Sequence, residues 1–223
     1  MVFVSGDLHG DRQRFFEPGF RKLRKNDCLL ICGDFGFVWD GSPAERKVLN
    51  SLSKFKYKIM FVEGTHENFE LLNAFPSEDF CGGKVRALSK NVYQMLRGEI
   101  YQIEGKKFFA FGGGHTLDSE AADNTGRGAG QESELTQAGI SRARENLERA
   151  GWTVDYIISH DITSRIRGFL DVQDEGFTLV ENFLDEVSKK CSFKRWFFGC
   201  YHIDKVISPL YTAVFKNVIP LDK

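Results

Sequence analysis

The sequence lacks any apolar run close to the roughly 20 residues that a membrane-spanning helix needs. Gly6 and Asp7 interrupt its first apolar stretch, so it shows no secretory signal. It also has little net charge, since 30 basic residues oppose 31 acidic ones for a formal charge of −1. This balance does not indicate nucleic acid or an anionic membrane as a partner. We therefore expect a cytoplasmic protein, and the sequence carries no sign of its oligomeric state.

Cysteine is scarce as well, because the chain has only five, with no C-x-x-C pair among them. An odd count and an adequate apolar core favour reduced thiols over a disulfide framework. The sequence has no internal repeat, and 42% of its residues are hydrophobic, which excludes disorder, collagen-like repeats and coiled coils as the main architecture. A chain of 223 residues is predicted to form a single domain, 1–223.

Short β-branched and aromatic runs, bounded by Gly, Asp or Asn, predict the strands. They cover residues 2–5, 28–32, 58–62, 99–103, 108–111, 154–159, 195–198 and 211–215. Capping boxes at Ser42 and Thr178 predict two helix starts, and a third helix is predicted to begin near Ser133. The early alternation of strands and helices predicts an α/β fold. Strands 99–103 and 108–111 are close enough for a hairpin, so the sheets should be mixed.

A polar segment rich in Gly, Ala and Asp, residues 117–131, resists assignment. A structureless loop of this length is usually a functional lid or disordered. His115 follows three glycines just before it and is expected in a turn or at the surface. Alternatively, the backbone amides of those glycines would approach a phosphate group.

Acidic and imidazole side chains follow five of the predicted strands. The segments are Gly6-Asp7-Leu8-His9-Gly10, Gly33-Asp34, Gly64-Thr65-His66-Glu67, Ser159-His160 and Gly199-Cys200-Tyr201-His202. Open α/β sheets gather ligands at the carboxyl ends of their strands, so we expect these segments to converge. Carboxylate oxygen and imidazole nitrogen suit Mn, Fe, Zn or Ni better than Ca or Mg. Two such ions about 3.5–4 Å apart promote phosphoryl transfer, which predicts hydrolysis of a phosphate ester.

The order and spacing of these segments resemble the five-block signature of the calcineurin-like metallophosphoesterases. Its blocks are D-x-H, G-D, G-N-H-[ED], H and G-H-x-H, and the resemblance runs from residue 7 to residue 202. It implies a sandwich of two mixed β-sheets flanked by helices, with a two-metal site at the strand ends. It also implies a metal-dependent hydrolase, a phosphatase or phosphodiesterase, whose substrate is a phosphomonoester or phosphodiester.

The same resemblance implies a role for each matching residue. The first metal would be held by Asp7, His9, Asp34 and His202, with Asp34 bridging to the second metal. The second metal would be held by Asp34, Thr65, His160 and Cys200. The family pattern has Asn at position 65 and His at position 200, so both departures fall on the second metal.

The two departures differ in their chemistry. The neutral hydroxyl of Thr65 is a poor ligand, whereas a Cys200 thiolate is a good ligand for zinc. We therefore expect either one firm and one weak metal or a second site that selects zinc, and the first outcome is favoured. A buried Cys200 that only fills an apolar gap is the alternative to a ligand.

For His66, the resemblance implies a general acid or a donor to the phosphoryl oxygens, oriented by Glu67 or another carboxylate. The expected reaction is in-line attack on phosphorus by metal-bound hydroxide. The rival hypothesis is a degenerate member of the family. With an impaired second metal site, such a protein would bind a phosphorylated ligand or a protein partner without efficient turnover.

Overall fold

The computed structural model of the chain describes residues 1–114, 129–170 and 178–221, and of 129–135 only the backbone. The strands are β1 (Val2–Ser5), β2 (Cys28–Cys32), β3 (Lys58–Val62), β4 (Ser77–Phe80), β5 (Gly83–Ser89), β6 (Val92–Met95), β7 (Ile100–Ile103), β8 (Lys106–Phe111), β9 (Tyr156–Ser159), β10 (Arg195–Phe198), β11 (Lys205–Ser208), β12 (Tyr211–Ala213) and β13 (Ile219–Pro220). The α-helices are α1 (Pro43–Leu52), α2 (Phe69–Asn73), α3 (Ala129–Arg149), α4 (Ser164–Arg167) and α5 (Leu179–Lys190). No helix in the described ranges is both long and apolar enough to cross a membrane.

The strands form two mixed sheets. The first has the order β13-β1-β2-β3-β6-β5-β4, in which β1, β2, β3 and β6 run parallel and the others are antiparallel to their neighbours. The second has the order β11-β12-β10-β9-β8-β7, with parallel strands in the middle and antiparallel strands at both edges. The predicted hairpin is confirmed as the antiparallel pair β7–β8.

Apolar side chains on both faces of each sheet produce the layers. Along β2, Cys28, Leu30 and Cys32 belong to a cluster between the sheets, whereas Leu29 and Ile31 pack in an outer cluster with residues of α1. The second sheet behaves in the same way, because β8 contributes to the inner cluster and to an outer cluster under α3 and α5. Successive strand residues point to opposite faces, so two-sided burial gives a four-layer sandwich. This arrangement confirms the predicted fold class.

Most of the predicted elements are present. The bounds of β1, β2, β3 and β10 are as predicted, and β7, β8, β9 and β12 differ from the predictions by one or two residues at an end. The hydroxyls of Ser42 and Thr178 accept hydrogen bonds from the N–H of Glu45 and Glu181, as capping boxes require. Helix α3 begins at Ala129, four residues before Ser133.

The early start of α3 corrects the loop prediction. Residues 129–131 lie in the first turn of the helix, so the predicted loop 117–131 is wrong at that end. Residues 117–128 and His115 lie outside the described residues. Strands β4, β5, β6, β11 and β13 and helices α2 and α4 were not predicted from the sequence.

Candidate metal centre

The predicted site segments lie at one edge of the sandwich, after β1, β2 and β3 of the first sheet and β9 and β10 of the second. Their ligand atoms form two groups, each within 4.8 Å. One group contains His9, Asp34 and His66, and the other contains Asp7, Asp34 and His160. Asp34 belongs to both groups, which agrees with the bridging position given to it above.

Five residues of the predicted site segments have left-handed backbone conformations. The φ angles are 39° for Asp7, 47° for His9, 41° for Asp34, 66° for Cys200 and 51° for His202. A residue with a Cβ rarely adopts this region, and such strain costs on the order of 1–3 kcal/mol per residue. The backbone at the strand ends is therefore held in a costly conformation that directs these side chains into one crevice.

Glycines allow the side chains to approach so closely. A Cβ on Gly33 would lie 1.9 Å from Nδ1 of His160, and one on Gly64 would lie 1.9 Å from Oδ1 of Asp34. Both distances are far shorter than any van der Waals contact. The glycine before Asp34 and the glycine before Thr65 are thus required by the packing of the site itself.

At this edge the two sheets meet through their backbones. A Cβ on Gly199, after β10, would lie 2.1 Å from the carbonyl oxygen of Cys32 in β2. A Cβ on Gly112, after β8, would lie 2.5 Å from the carbonyl oxygen of Glu63, after β3. The same Glu63 oxygen accepts a hydrogen bond of 2.8 Å from the N–H of Gly113. We call these contacts the backbone seam.

The deep end of the crevice contains Asp7, Asp34 and His160, whose side chains are at most 3% exposed. His160 Nδ1 lies 3.5 Å from Asp7 Oδ1, and His160 Nε2 lies 3.8 Å from Asp34 Oδ2. Within the described residues, Asp7 Oδ2 and His160 Nε2 are buried without a hydrogen-bond partner. Buried polar atoms are nearly always paired, so these two are suited to coordinating a cation.

Electrostatics couples the same groups. Burial opposes the charged form of His160, but the carboxylate of Asp34 and the neighbouring Cys200 raise its pKa well above the usual range. Burial likewise opposes the charged form of Asp34, yet His160 and the hydrogen bonds from His66 lower the pKa of that carboxyl well below its usual range. The carboxylate of Asp34 is therefore the ionised centre around which the imidazoles are arranged.

The outer end of the crevice contains three histidines. His9 Nε2 and His202 Nε2 lie 2.9 Å apart, and burial lowers the pKa of His9. His66 makes two hydrogen bonds of 2.9 Å to Asp34, one between its Nδ1 and Oδ2 and one from its N–H to Oδ1. The side chains of His9 and His66 are 32% and 20% exposed, so solvent reaches this end.

The carboxylate that contacts the ring of His66 is that of Asp34. We expected Glu67 or another carboxylate in this role, and Glu67 instead accepts hydrogen bonds from the N–H groups of Phe35 and Gly36. Burial and the nearby Asp34 raise the pKa of Glu67 well above its usual range. Glu67 therefore holds the backbone that follows Asp34.

The division of the ligands between two ions stays a prediction. His160, assigned with Asp34 to the second metal, also lies beside Asp7, a ligand of the first. His160 and Cys200 follow the adjacent strands β9 and β10, and the N–H of Cys200 donates a hydrogen bond of 3.1 Å to Oδ1 of Asp7. Within the described residues the two groups of ligand atoms have Asp34 in common, and His160 lies near both Asp7 and Asp34.

Thr65 and Cys200, the two departures from the family pattern, are both at the crevice. The hydroxyl oxygen of Thr65 is buried with no hydrogen-bond partner in the described part of the chain. Cys200 is 3% exposed and belongs to the apolar cluster that contains Phe198. Burial raises the pKa of the Cys200 thiol to about 12, although the adjacent His160 opposes this shift. The position fits both a ligand and a gap-filling thiol.

One supporting residue was missed in the sequence. Arg14 is buried and donates hydrogen bonds to the carbonyl oxygens of Gly6 (3.1 Å), Asp7 (2.8 Å) and Phe215 (2.5 Å). Burial lowers the pKa of this guanidinium. The ring of Phe215 in turn stacks on His202, with centroids 5.0 Å apart. Arg14 thus links the first segment to the fifth, but its charged surroundings in the sequence are typical of a surface turn.

The donor set fits divalent transition metals, because it combines two buried carboxylates with imidazoles and leaves buried atoms unpaired. The sequence model of the calcineurin-like phosphoesterase family matches residues 1–184 of this chain. The chain belongs to that family. It is therefore a phosphoester hydrolase of the metal-dependent type. The matched region contains the first four segments and ends before Cys200 and His202.

Two solved structures are similar to this chain. One is the phosphopantetheinyl hydrolase of Mycobacterium tuberculosis, with a TM-score of 0.47 and 14% identity over 96% of this chain and 89% of that one. The other is named as a 5′-nucleotidase of Staphylococcus aureus in complex with alpha-ketoglutarate. It has a TM-score of 0.44 and 14% identity, over 97% of this chain and 48% of that one. The comparison with curated proteins gave no match.

Proposed function

We propose that this chain hydrolyses a phosphomonoester or a phosphodiester at the crevice that we call the metal centre. One observation carries the proposal: Asp34 is shared by two groups of ligand atoms that come from four strand ends. A shared carboxylate between two sets of ligands is the arrangement that a pair of ions needs. The family match supports the same class of reaction.

Asp7, His9, Asp34, His160 and His202 would hold the ions, which are Mn, Fe, Ni or Zn by the chemistry of these donors. When bound, such ions polarise phosphoryl oxygens and make hydroxide available near neutral pH. This chemistry needs a separate proton donor for the leaving oxygen.

His66 is suited to that task. The bond between its Nδ1 and Asp34 fixes the orientation of the ring, so its Nε2 is the atom that would donate to the leaving oxygen or to a phosphoryl oxygen. Its partial exposure, 20% of the side chain, gives an ester access to it from solvent.

Activity against p-nitrophenyl phosphate and bis-p-nitrophenyl phosphate tests the proposal, with Mn, Ni and Zn added in turn. We expect Asp34→Asn to lower kcat/KM at least about a hundredfold, because it removes the carboxylate that both ligand groups share. Asp79→Asn is the matched control, since its carboxylate is 78% exposed and lies in strand β4. Equal activity in the wild type and Asp34→Asn would refute the assignment of the centre.

We further propose that one ion is held firmly and the second weakly, or that the second position selects zinc. Two residues support this. Thr65 replaces a stronger ligand of the family pattern, and its hydroxyl has no hydrogen-bond partner among the described residues. The buried Cys200 replaces a histidine with a thiol, which favours zinc when it is deprotonated. The rival hypothesis, a protein that binds a phosphorylated ligand or a protein partner without efficient turnover, rests on the same two residues.

Restoring the family pattern at positions 65 and 200 tests the weakened second metal position, on which both hypotheses depend. We expect the double variant Thr65→Asn and Cys200→His to bind close to two ions per chain and to turn over phosphate esters faster than the wild type. The measurements are metal content after anaerobic purification and kcat with each metal. Two tightly held ions in the wild type, with no gain in the double variant, would contradict a weakened second position.

The five cysteines, all free thiols, support a cytoplasmic location for this function. The substrate that we propose is a phosphate ester, with neither nucleic acid nor membrane as partner.

A further inference from the structure

A second polar cavity lies beside the metal centre, between the first sheet and helix α3. Its volume is about 80 Å³. We call it the arginine pocket, and the charged and amide side chains around it are Glu63, Asn73, Arg86, Gln94, Arg97 and Arg142. The family signature includes none of these residues.

Two of the three guanidinium groups have carboxylate partners. Arg97 pairs with Glu63, which also accepts a hydrogen bond of 3.1 Å from Gln94. Arg142 lies 3.4 Å from Glu99 and donates to the carbonyl oxygen of Arg97. These contacts fix the positions of two positive groups at the cavity, and each has one carboxylate partner.

Arg86 is different. Its Nε atom is buried without a partner, and its guanidinium makes neither a hydrogen bond nor an ion pair with the residues that the structure describes. The side chain of Arg86 is partly buried, and a charge that is partly removed from water without a partner is unfavourable. Burial lowers the pKa of this guanidinium, which reflects the same cost. The pocket therefore carries one positive charge more than its carboxylates neutralise.

The size and chemistry of the pocket restrict what would pair with Arg86. A volume of about 80 Å³ is several times the roughly 10–15 Å³ that one water molecule needs, so the pocket has room for a small polyatomic ion. The planar fork of a guanidinium matches the oxygens of phosphate and carboxylate groups, with charge-assisted hydrogen bonds. A small tetrahedral oxyanion satisfies both conditions.

The pocket also has a fixed relation to the metal centre. Glu63 follows the last residue of β3, and Thr65 and His66 follow it by two and three residues. The carbonyl oxygen of Glu63 is part of the backbone seam, and its side chain is part of the pocket. The end of β3 therefore serves both sites.

We propose that the arginine pocket binds a phosphate-sized oxyanion at Arg86, either as a second anionic group of the substrate or as a free ion. Binding itself does not depend on the proposed function. Only the origin of the oxyanion in the substrate rests on it.

Thermal unfolding of the metal-loaded protein in sodium sulfate, compared with sodium chloride at equal ionic strength, tests the binding. A ligand that binds the folded state raises the melting temperature, so the rise gives an apparent dissociation constant for sulfate. We expect Arg86→Gln to weaken that constant at least tenfold. The matched control is Lys84→Gln, which removes a positive charge from the same strand but pairs with Asp79 outside the pocket, and it should bind sulfate as the wild type does.

Sulfate that binds at the metal centre contributes equally to all three proteins, so the difference between them isolates the pocket. If Arg86→Gln does not fold, Arg142→Gln replaces it, because that side chain is 39% exposed, and the same tenfold loss is expected. An unchanged constant in a folded variant would overturn the proposal.

Steady-state kinetics separates the two sources of the oxyanion. A bisphosphate ester is compared with p-nitrophenyl phosphate, which has a single phosphate. A tenfold higher KM of Arg86→Gln for the bisphosphate alone identifies a group of the substrate. Weaker sulfate binding with both KM values unchanged identifies a free oxyanion. If the proposed function fails, the wild type hydrolyses neither ester, while the sulfate measurement still decides the binding.

Discussion

The metal centre and the arginine pocket lie at the same end of β3, but their residues are held in different ways. The centre takes Asp7, Asp34 and Cys200 from turns with left-handed backbone just beyond the strands. The pocket takes Arg86, Gln94 and Arg142 from the regular parts of β5, β6 and α3. In the centre, strain in the backbone positions the ligands, whereas in the pocket sheet pairing and helix packing do so.

This difference determines which substitutions next to its residues each site tolerates. In the centre, a methyl group on an adjacent glycine would overlap a ligand atom, so the sequence must contain glycine there and shows a motif. In the pocket, the site does not restrict which residues stand next to each arginine in the sequence. The first prediction below therefore concerns a glycine of the centre, and the last an arginine of the pocket.

The largest effect is expected for Gly33→Ala. Its Cβ would overlap His160, and displacement of a ligand by about 1 Å is enough to lower kcat/KM around a hundredfold. Metal content should fall with it. Gly105→Ala is the matched control, because Gly105 also has a positive φ of 73° but has nothing within 4 Å of a new Cβ. A loss of activity in both variants would show that backbone strain, and not contact with the ligand, is responsible.

An intermediate effect is expected for Arg14→Met. The substitution leaves the buried carbonyl oxygens of Gly6 and Asp7 without their donor, which should lower the free energy of unfolding by about 2 kcal/mol. Urea unfolding measures this change. Arg12→Met, at an exposed position of the 3₁₀ helix Arg12–Phe16 that also contains Arg14, should leave the free energy of unfolding unchanged. Equal stability of the two variants would mean that Arg14 does not support the first segment.

The smallest effect, and one of opposite sign, is expected for Arg86→Met in buffer without sulfate or phosphate. Arg86 is partly buried, so removing its charge, which has no partner among the described residues, should raise the free energy of unfolding by at most about 1 kcal/mol. The long apolar side chain of methionine keeps the packing. Lys84→Met, in the same strand, should give no such gain. A clear destabilisation by Arg86→Met would show that Arg86 is a structural residue, and the contrast between the two sites would then disappear.

Much of the fold could be predicted because its central strands are apolar on both faces. The bounds of β2 and β3 follow from uninterrupted apolar runs that end at a glycine or an acidic residue. Strands β4 and β5 were missed because they carry exposed charges, Glu78, Asp79 and Lys84 among them, and lie at or next to the edge of the sheet. Their pairing is decided by contacts between strands, which a local pattern does not show.

The candidate site was predictable for a different reason. Asp7, His9, Asp34 and the other strand-end residues are close in space because parallel strands end at one edge. The sequence could not show that His160 lies between Asp7 and Asp34, since this depends on how the two sheets meet. Arg14 and Arg86 were not identified from the sequence. Nothing near them in the chain shows that Arg14 is buried or that Arg86 lines a cavity.

Because of the backbone seam, the spacing of the proposed ligands does not depend on how the core side chains pack. Elsewhere the distance between the sheets depends on the size of inner side chains such as Met60 and Phe108, but at the seam it depends on backbone atoms of Cys32, Glu63 and Gly199. Inner residues can therefore be exchanged for others of different volume, at some cost in stability, while the ligands keep their separation. We therefore expect such core substitutions to change the stability of the protein more than the geometry of the proposed metal centre.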